Sequence, residues 1–177
     1  MANHVWTRTY INSDKEEVHN KLGEWYGELS YDDIRGVVEP VFGKDWKYDI
    51  DLIGSKWIVI EDGGSTGGDT ETYLNFCSAW YPPLEFMEEL NSVILAIDNK
   101  ATMEFTGDEE SDDFLFAGYG SIKGFHAEMV DSPERPFEEE CDEDGLDYDE
   151  EVDKFYDEVS SIQDATMKKC VEIVNNE

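Results

Sequence analysis

The chain has 177 residues, enough for one ordinary globular domain and short for two. Thirteen Lys and Arg stand against 44 Asp and Glu, a formal charge of −31, while 40% of residues are hydrophobic and 13% aromatic. A disordered acidic tail is excluded by that apolar content; direct binding to nucleic acid or an anionic membrane is disfavoured by the charge, which suits cations and basic proteins.

No apolar run approaches the roughly 20 residues that span a bilayer. Residues 1–10 lack the apolar stretch of a signal peptide. Cys77, Cys141 and Cys170 are odd in number and far apart, which points to a reducing compartment and a cytoplasmic location. Lys outnumbers Arg ten to three and Ala is scarce, so adaptation to brine is a poor account of the acidity.

Along the chain, residues 4–11 (HVWTRTYI) are β-branched and aromatic and predict a first strand. Ser13 and Glu16 have capping-box spacing, and Val18, Leu22, Trp25 and Leu29 follow at helical intervals. A second short helix is predicted over 31–42, and strands over 46–53 and 56–61. Residues 63–69 are rich in Gly, Ser and Thr and predict a loop; 71–79 predict a strand. Pro82 and Pro83 open a helix that carries Leu84, Met87, Leu90, Ile94 and Ile97 on one stripe. Strands follow at 101–106 and 113–119, with a last one over 121–129. This order is an α+β pattern.

The final third differs in character. Residues 132–136 form a linker-like break, and 138–153 hold eleven carboxylates and no base. From Asp149 a helix is predicted, with Val152, Phe155, Val159, Ile162, Thr166, Cys170 and Ile173 at spacings of three and four. Its acids lie near the start and Lys168 and Lys169 near the end, as the helix dipole favours. Residues 1–127 hold nine bases against 25 acids, and 128–177 hold four against 19, so the shorter part has more than twice the charge density. The expected organisation is a body over 1–130 with the acidic segment and helix of 131–177 packed on the same domain.

The middle of the chain resembles a known family. Ile-Gly-Ser-Lys-Trp at 53–57, Phe-Cys-Ser-Ala-Trp-Tyr-Pro-Pro at 76–83 opening a helix, and Phe-Ala-Gly at 116–118 are similar to steps in the ferredoxin-like proteins of the Api92/YubB type, carried by phages and plasmids. The resemblance covers about residues 54–120; Asn-His-Val-Trp at 3–6 stands where members carry a Cys/Asn-rich strand, and the acidic helix lies outside it. It implies a ferredoxin-like split β-α-β sheet and a mobile-element origin, hence the cytoplasm of a host cell. It implies no active site, and a fold alone names no function.

The acidic block is the strongest constellation. Duplex DNA carries one charge per about 1.7 Å of axis, and a helix rises about 1.5 Å per residue. Asp149, Glu150, Glu151, Asp153, Asp157 and Glu158 therefore approach duplex phosphate density on a predicted helix whose apolar stripe can anchor it. Such an array suits the channel of a basic nucleic-acid-binding protein, such as a restriction, CRISPR or transcription component. The partner-binding set expected is Glu138, Glu139, Glu140, Asp142, Glu143, Asp144, Asp147, Asp149, Glu150, Glu151, Asp153, Asp157 and Glu158. Asp108, Glu109, Glu110, Asp112 and Asp113 are expected to assist. Charge runs are also commonly plain solvated faces, so an acidic structural or assembly protein is one alternative.

A calcium-binding regulatory module is another, because Glu140, Asp142, Asp144 and Glu151 have EF-hand loop spacing with Gly145 at the sixth position. Glu at position 1, Asp147 at position 8 and the flanking prolines depart from that pattern. No metal site or cofactor is therefore assigned. His4, His19 and His126 form no nucleophilic frame, Cys77 and Cys170 are expected to be packed, and Cys141 among carboxylates is a poor nucleophile. The glycine-rich loop has no P-loop Lys and is flanked by Glu61, Asp62 and Asp69, which repel phosphate. Trp25, Tyr26, Tyr31, Trp46, Trp80 and Tyr81 are expected mostly in the core, with Tyr148 and Tyr156 as candidate anchors against an arginine. The expected activity is non-enzymatic inhibition through protein–protein contact, with oligomeric state left open.

Overall fold

A computed structural model describes residues 3–28, 41, 43, 50–65, 70–139, 141 and 145–176. Its elements are β1 (His4–Asn12), α1 (Glu16–Glu28), α2 (Ile50–Ile53), β2 (Ile58–Ser65), β3 (Glu71–Ala79), α3 (Leu84–Ile97), β4 (Thr102–Glu109), β5 (Phe114–Ser121), β6 (Gly124–Asp131) and α4 (Tyr148–Asn176). The six strands form one sheet in the order β2-β3-β1-β4-β5-β6, with every neighbouring pair antiparallel. The chain is thus α+β, as its element pattern predicts.

Strand alternation sorts the sheet into two faces. In β1, Val5, Thr7, Thr9 and Ile11 are fully buried, while Arg8 and Tyr10 on the opposite face are exposed. The first face meets α1 through Val18, Leu22 and Trp25, and α3 through Phe86, Met87, Leu90 and Ile94. Leu74, Phe76, Met103, Phe105 and Phe116 complete this main core. Bulk and absence of bulk are matched across β4 and β5: Phe105 pairs with Gly118, and Gly107 with Phe116. A Cβ on either glycine would lie 2.1 Å from the facing ring, so both rings need those hydrogens.

The second face is covered by α4 over β5, β6 and part of β4, where Tyr119 meets Cys170 and Val174. Among the 29 residues of this helix, Phe155, Gln163, Thr166, Cys170 and Val174 are buried. Gln163 is absent from the apolar stripe read in the sequence; its amide reaches inward and donates to the Gly107 carbonyl at 2.9 Å.

Several local expectations are corrected. Residues 50–53 of the strand predicted over 46–53 form α2 instead, and 46–49 lie outside the described residues. Ile50 and Ile53 share one helical face, and Gly54, at φ +80°, closes the turn by donating to Ile50 O at 2.9 Å. A short apolar run carries too little periodicity to separate strand from helix. Residues 63–65, assigned to a loop, complete β2 after a bulge between Ile60 and Asp62. Residues 66–69 lie outside the description, as does the helix predicted over 31–42 apart from Val41.

The Ser13–Glu16 capping box is replaced by a long-range pair. Ser13 Oγ donates to Asp98 Oδ2 at 2.6 Å, and Ser13 N–H donates to Thr70 O at 3.0 Å. The hydroxyl therefore ties the start of α1 to the end of α3.

Candidate functional site

Helix α4 begins at Tyr148, and its first free N–H groups are satisfied by Asp147, whose Oδ1 accepts from Asp149 N at 3.1 Å and Glu150 N at 3.2 Å. Burial of Phe155, Gln163 and Thr166 against the sheet sets the rotation of the helix. That rotation leaves Asp149, Glu150, Asp153, Asp157 and Glu158 exposed. Asp149, Asp153 and Asp157 recur every four residues and form one row. The only base in this stretch, Lys154, is taken by Glu151 at 2.5 Å.

Upstream, Glu138 and Glu139 are exposed on a helical turn beside buried Cys141, whose carbonyl accepts from Leu146 N at 2.8 Å. Glu140, Asp142, Glu143 and Asp144 lie outside the described residues. The remaining member of the calcium pattern, Glu151, is paired with Lys154, and Asp147, which departs from that pattern, is the helix cap. Among the described residues no group of three or more His, Cys, Asp or Glu is arranged to hold a metal ion.

The acids of the β4–β5 turn are used differently from one another. Asp108 pairs with Arg8 at 2.7 Å, and partial burial raises its pKa against the pull of that guanidinium. Glu109 is only 3% exposed and leaves the expected surface array, because the core-facing side of β4 carries it inward. Its Oε2 accepts from Ser111 N at 2.8 Å and Asp113 N at 3.4 Å. Glu110 accepts from His4 N at 3.0 Å, and Asp112 is paired with Arg135 at 3.1 Å. Asp113 is exposed.

Arg135 brings the two acidic groups together. Besides Asp112 it reaches Tyr156 Oη at 3.4 Å, and its guanidinium lies 6.0 Å from the Phe155 ring centre. The turn at 109–113 is thereby joined to the acidic end of α4. Tyr156, read as an anchor for a partner's arginine, already accepts from one inside the chain.

The three cysteines are buried and none is in a disulfide. Burial, reinforced by Glu61, pushes the Cys77 thiol up to about 12. His19 contacts Thr72 Oγ1 at 2.7 Å and Ser13 O at 2.9 Å, and His126 contacts Glu128 at 3.2 Å. The His19 ring joins α1 to β3, whereas the His126 contact lies within β6. Trp25 is buried as expected, but Trp80 and Tyr81 are not: they are 52% and 56% exposed. Trp80 sits at φ +76°, in the left-handed region, at the end of the strand it follows. The Ala-Trp-Tyr-Pro-Pro string is legible as a strand-to-helix turn, whereas the side to which its rings point is not.

No helix among the described residues is long and apolar enough to cross a membrane. The chain matches no family model, no curated protein and no solved structure.

Proposed function

We propose that the chain is a non-enzymatic inhibitor that presents a DNA-like carboxylate array to a basic nucleic-acid-binding protein and occupies its nucleic-acid channel. One observation carries this reading: Asp149, Glu150, Asp153, Asp157 and Glu158 are exposed on a helix whose opposite side is buried in the domain. Five carboxylates over residues 149–158 give about one per 3 Å of axis, close to the one phosphate per roughly 3.4 Å of helix axis that a single DNA strand contributes. A docked helix loses little conformational entropy when a partner binds, which a disordered acidic tail cannot match. Counterions leaving both surfaces make the contact salt-sensitive.

The sheet order supports a finer reading of the body. In β2-β3-β1-β4, α1 connects two strands separated by β3, and α3 connects two strands separated by β1. Such an order supports reading the body as a ferredoxin-like split β-α-β unit extended by β5, β6 and α4. With the Api92/YubB-type sequence steps it favours a mobile-element protein acting in the host cytoplasm against a defence or transcription component.

The test is affinity capture from a host lysate at low and high salt, with duplex DNA as competitor and a variant carrying D149N, E150Q, D153N and D157N. Capture of a nucleic-acid-binding protein that DNA displaces and the variant loses supports the proposal. Equal capture by the variant, with its fold intact, removes α4 as the binding surface and returns the charge to solubility.

A further inference from the structure

A second site is lined by no residue of α4. Asn3, Trp80, Tyr81, Glu109, Asp113 and Phe114 line a cleft of about 380 Å³ between the start of β1, the turn before α3 and the β4–β5 turn. That volume falls within the usual range for small-ligand sites. Its wall contains three aromatic rings and two carboxyl groups, and no base. Trp80 and Tyr81 are largely exposed although both are large apolar side chains.

Glu109 gives the cleft its chemistry. One carboxylate oxygen is held by the Ser111 and Asp113 amides, but Oε1 is buried with no hydrogen-bond partner. The other buried side-chain atoms in this condition among the described residues are three hydroxyls, of Thr7, Thr9 and Ser132. A hydroxyl can turn towards a weak partner; a carboxylate oxygen out of water without a donor is far more costly. Ser132 belongs to the same neighbourhood, since its N–H donates to Asp113 O at 3.4 Å.

The turn that presents the rings is also unusual. Trp80 adopts a left-handed backbone conformation at φ +76°, which non-glycine residues rarely take. It is held by donation from Trp80 N–H to Asn3 O at 2.9 Å and by Ser78 Oγ donating to Tyr81 O at 3.0 Å. The residue whose backbone holds the turn, Asn3, is itself part of the cleft wall.

We propose that this cleft binds a guanidinium group. A flat cation with several N–H donors supplies what each wall lacks: a donor for Glu109 Oε1, a charge partner for Asp113 at the rim, and a planar face to lie on the indole of Trp80. An alkylammonium satisfies the charge but offers no plane to stack, so it ranks below a guanidinium. The group can arrive on a free small molecule or on an arginine side chain of a protein. This site contains no residue of α4, and it stands whether or not the acidic helix mimics DNA.

The experiment is a titration of the ¹⁵N-labelled full chain, following the indole N–H of Trp80, assigned with W80F, and the backbone amides of Ser111 and Asp113. The probes are Nα-acetyl-arginine amide, its neutral isostere Nα-acetyl-citrulline amide, and an acetylated pentapeptide with a central arginine between glycines. A saturable shift with the arginine compound, at least about tenfold weaker with citrulline, is expected. E109Q and D113N should each weaken it about tenfold, while the four-substitution α4 variant binds as the parent does. Tighter binding of the peptide assigns a protein-borne arginine, and equal binding assigns a free guanidinium compound. If E109Q fails to fold, W80A, which alters an exposed ring, must abolish the Ser111 and Asp113 shifts with the circular dichroism unchanged. Equal shifts with citrulline, or none with either arginine probe up to tens of millimolar, overturn the proposal.

Discussion

Individual side chains show how far burial redirects chemistry that looks available in the sequence. Cys77 sits in a strand whose outer face is open over much of β1 and β3, yet the thiol is 4% exposed and its pKa is pushed up to about 12. At pH 8 almost no thiolate is present there, and Cys141 and Cys170 are buried as well. Native chain should therefore react with a thiol reagent at the rate of unfolding, with all three groups titrating promptly in denaturant; fast labelling of one thiol in the native state would contradict this packing.

Asp98 gives a pH-dependent counterpart. Its pKa is lowered, first by the Ser13 hydroxyl and then by the Lys100 amide. A depressed carboxyl contributes stability above its unfolded pKa and loses that contribution as pH falls through the folded value. Ser13→Ala should accordingly lower Tm more at pH 7 than at pH 3. An equal loss at both would assign Ser13 a role in packing alone. The sequence shows Ser13 clearly, but as half of a local capping box, because an 85-residue separation leaves no local trace.

At the scale of elements, α4 joins a solvent-facing row of acids to the sheet through a few inward contacts. Phe155 is 4% exposed and packs beside Arg135, which itself bridges to the β4–β5 turn. Phe155→Ala should cost about 3–5 kcal/mol in urea unfolding, the usual range for a buried phenylalanine. Arg135→Met keeps much of the apolar stem but removes the exposed ion pair, and its cost should stay within about 1 kcal/mol. Hydrogen exchange should nonetheless speed up at the first turns of α4 in Arg135→Met, because that end loses its tie to Asp112; unchanged exchange would show that Phe155 alone holds it. The helix itself was readable from Phe155, Thr166 and Cys170 at spacings of three and four. Gln163 was not, since hydropathy registers an amide as outward and its burial is made favourable by donation to the distant Gly107 carbonyl.

For the whole molecule, self-repulsion of a −31 chain opposes folding, and salt relieves it. Raised pKa values at Glu104, from burial and then Glu71, and at Asp108, from burial, act in the same direction. A carboxyl whose folded pKa is raised loses stability as pH rises through that region, so acidification from neutrality should at first raise Tm. Below the ordinary carboxyl range the sign reverses, because Asp98 and Glu128 have lowered pKa values, the latter through Lys169 and then His126. Calorimetry should show a stability maximum between about pH 4 and 6, and a Tm at pH 7 that rises with added NaCl. Each kcal/mol of relieved repulsion corresponds to roughly 2–4 °C for a chain of this size. A Tm at neutral pH that is indifferent to salt would mean that the charges are spaced widely enough not to interact.

What the sequence determined alone is what depends on neighbours within a few residues. Alternation in 4–11 and 71–79, the stripe from Leu84 to Ile97 and the heavy charge of 138–158 all follow from local periods and composition. Tertiary structure decided which strands became neighbours, and with that which side of each strand met water. β1 became an interior strand because both β3 and β4 pair with it, and that pairing turned Glu109 inward while Arg8 and Tyr10 stayed out. It also placed Trp80 beside that glutamate, although 29 residues separate them in the chain. A period of two tells that a strand has two faces; only the second helix layer, packed from a distant part of the chain, decides how much of each face is covered.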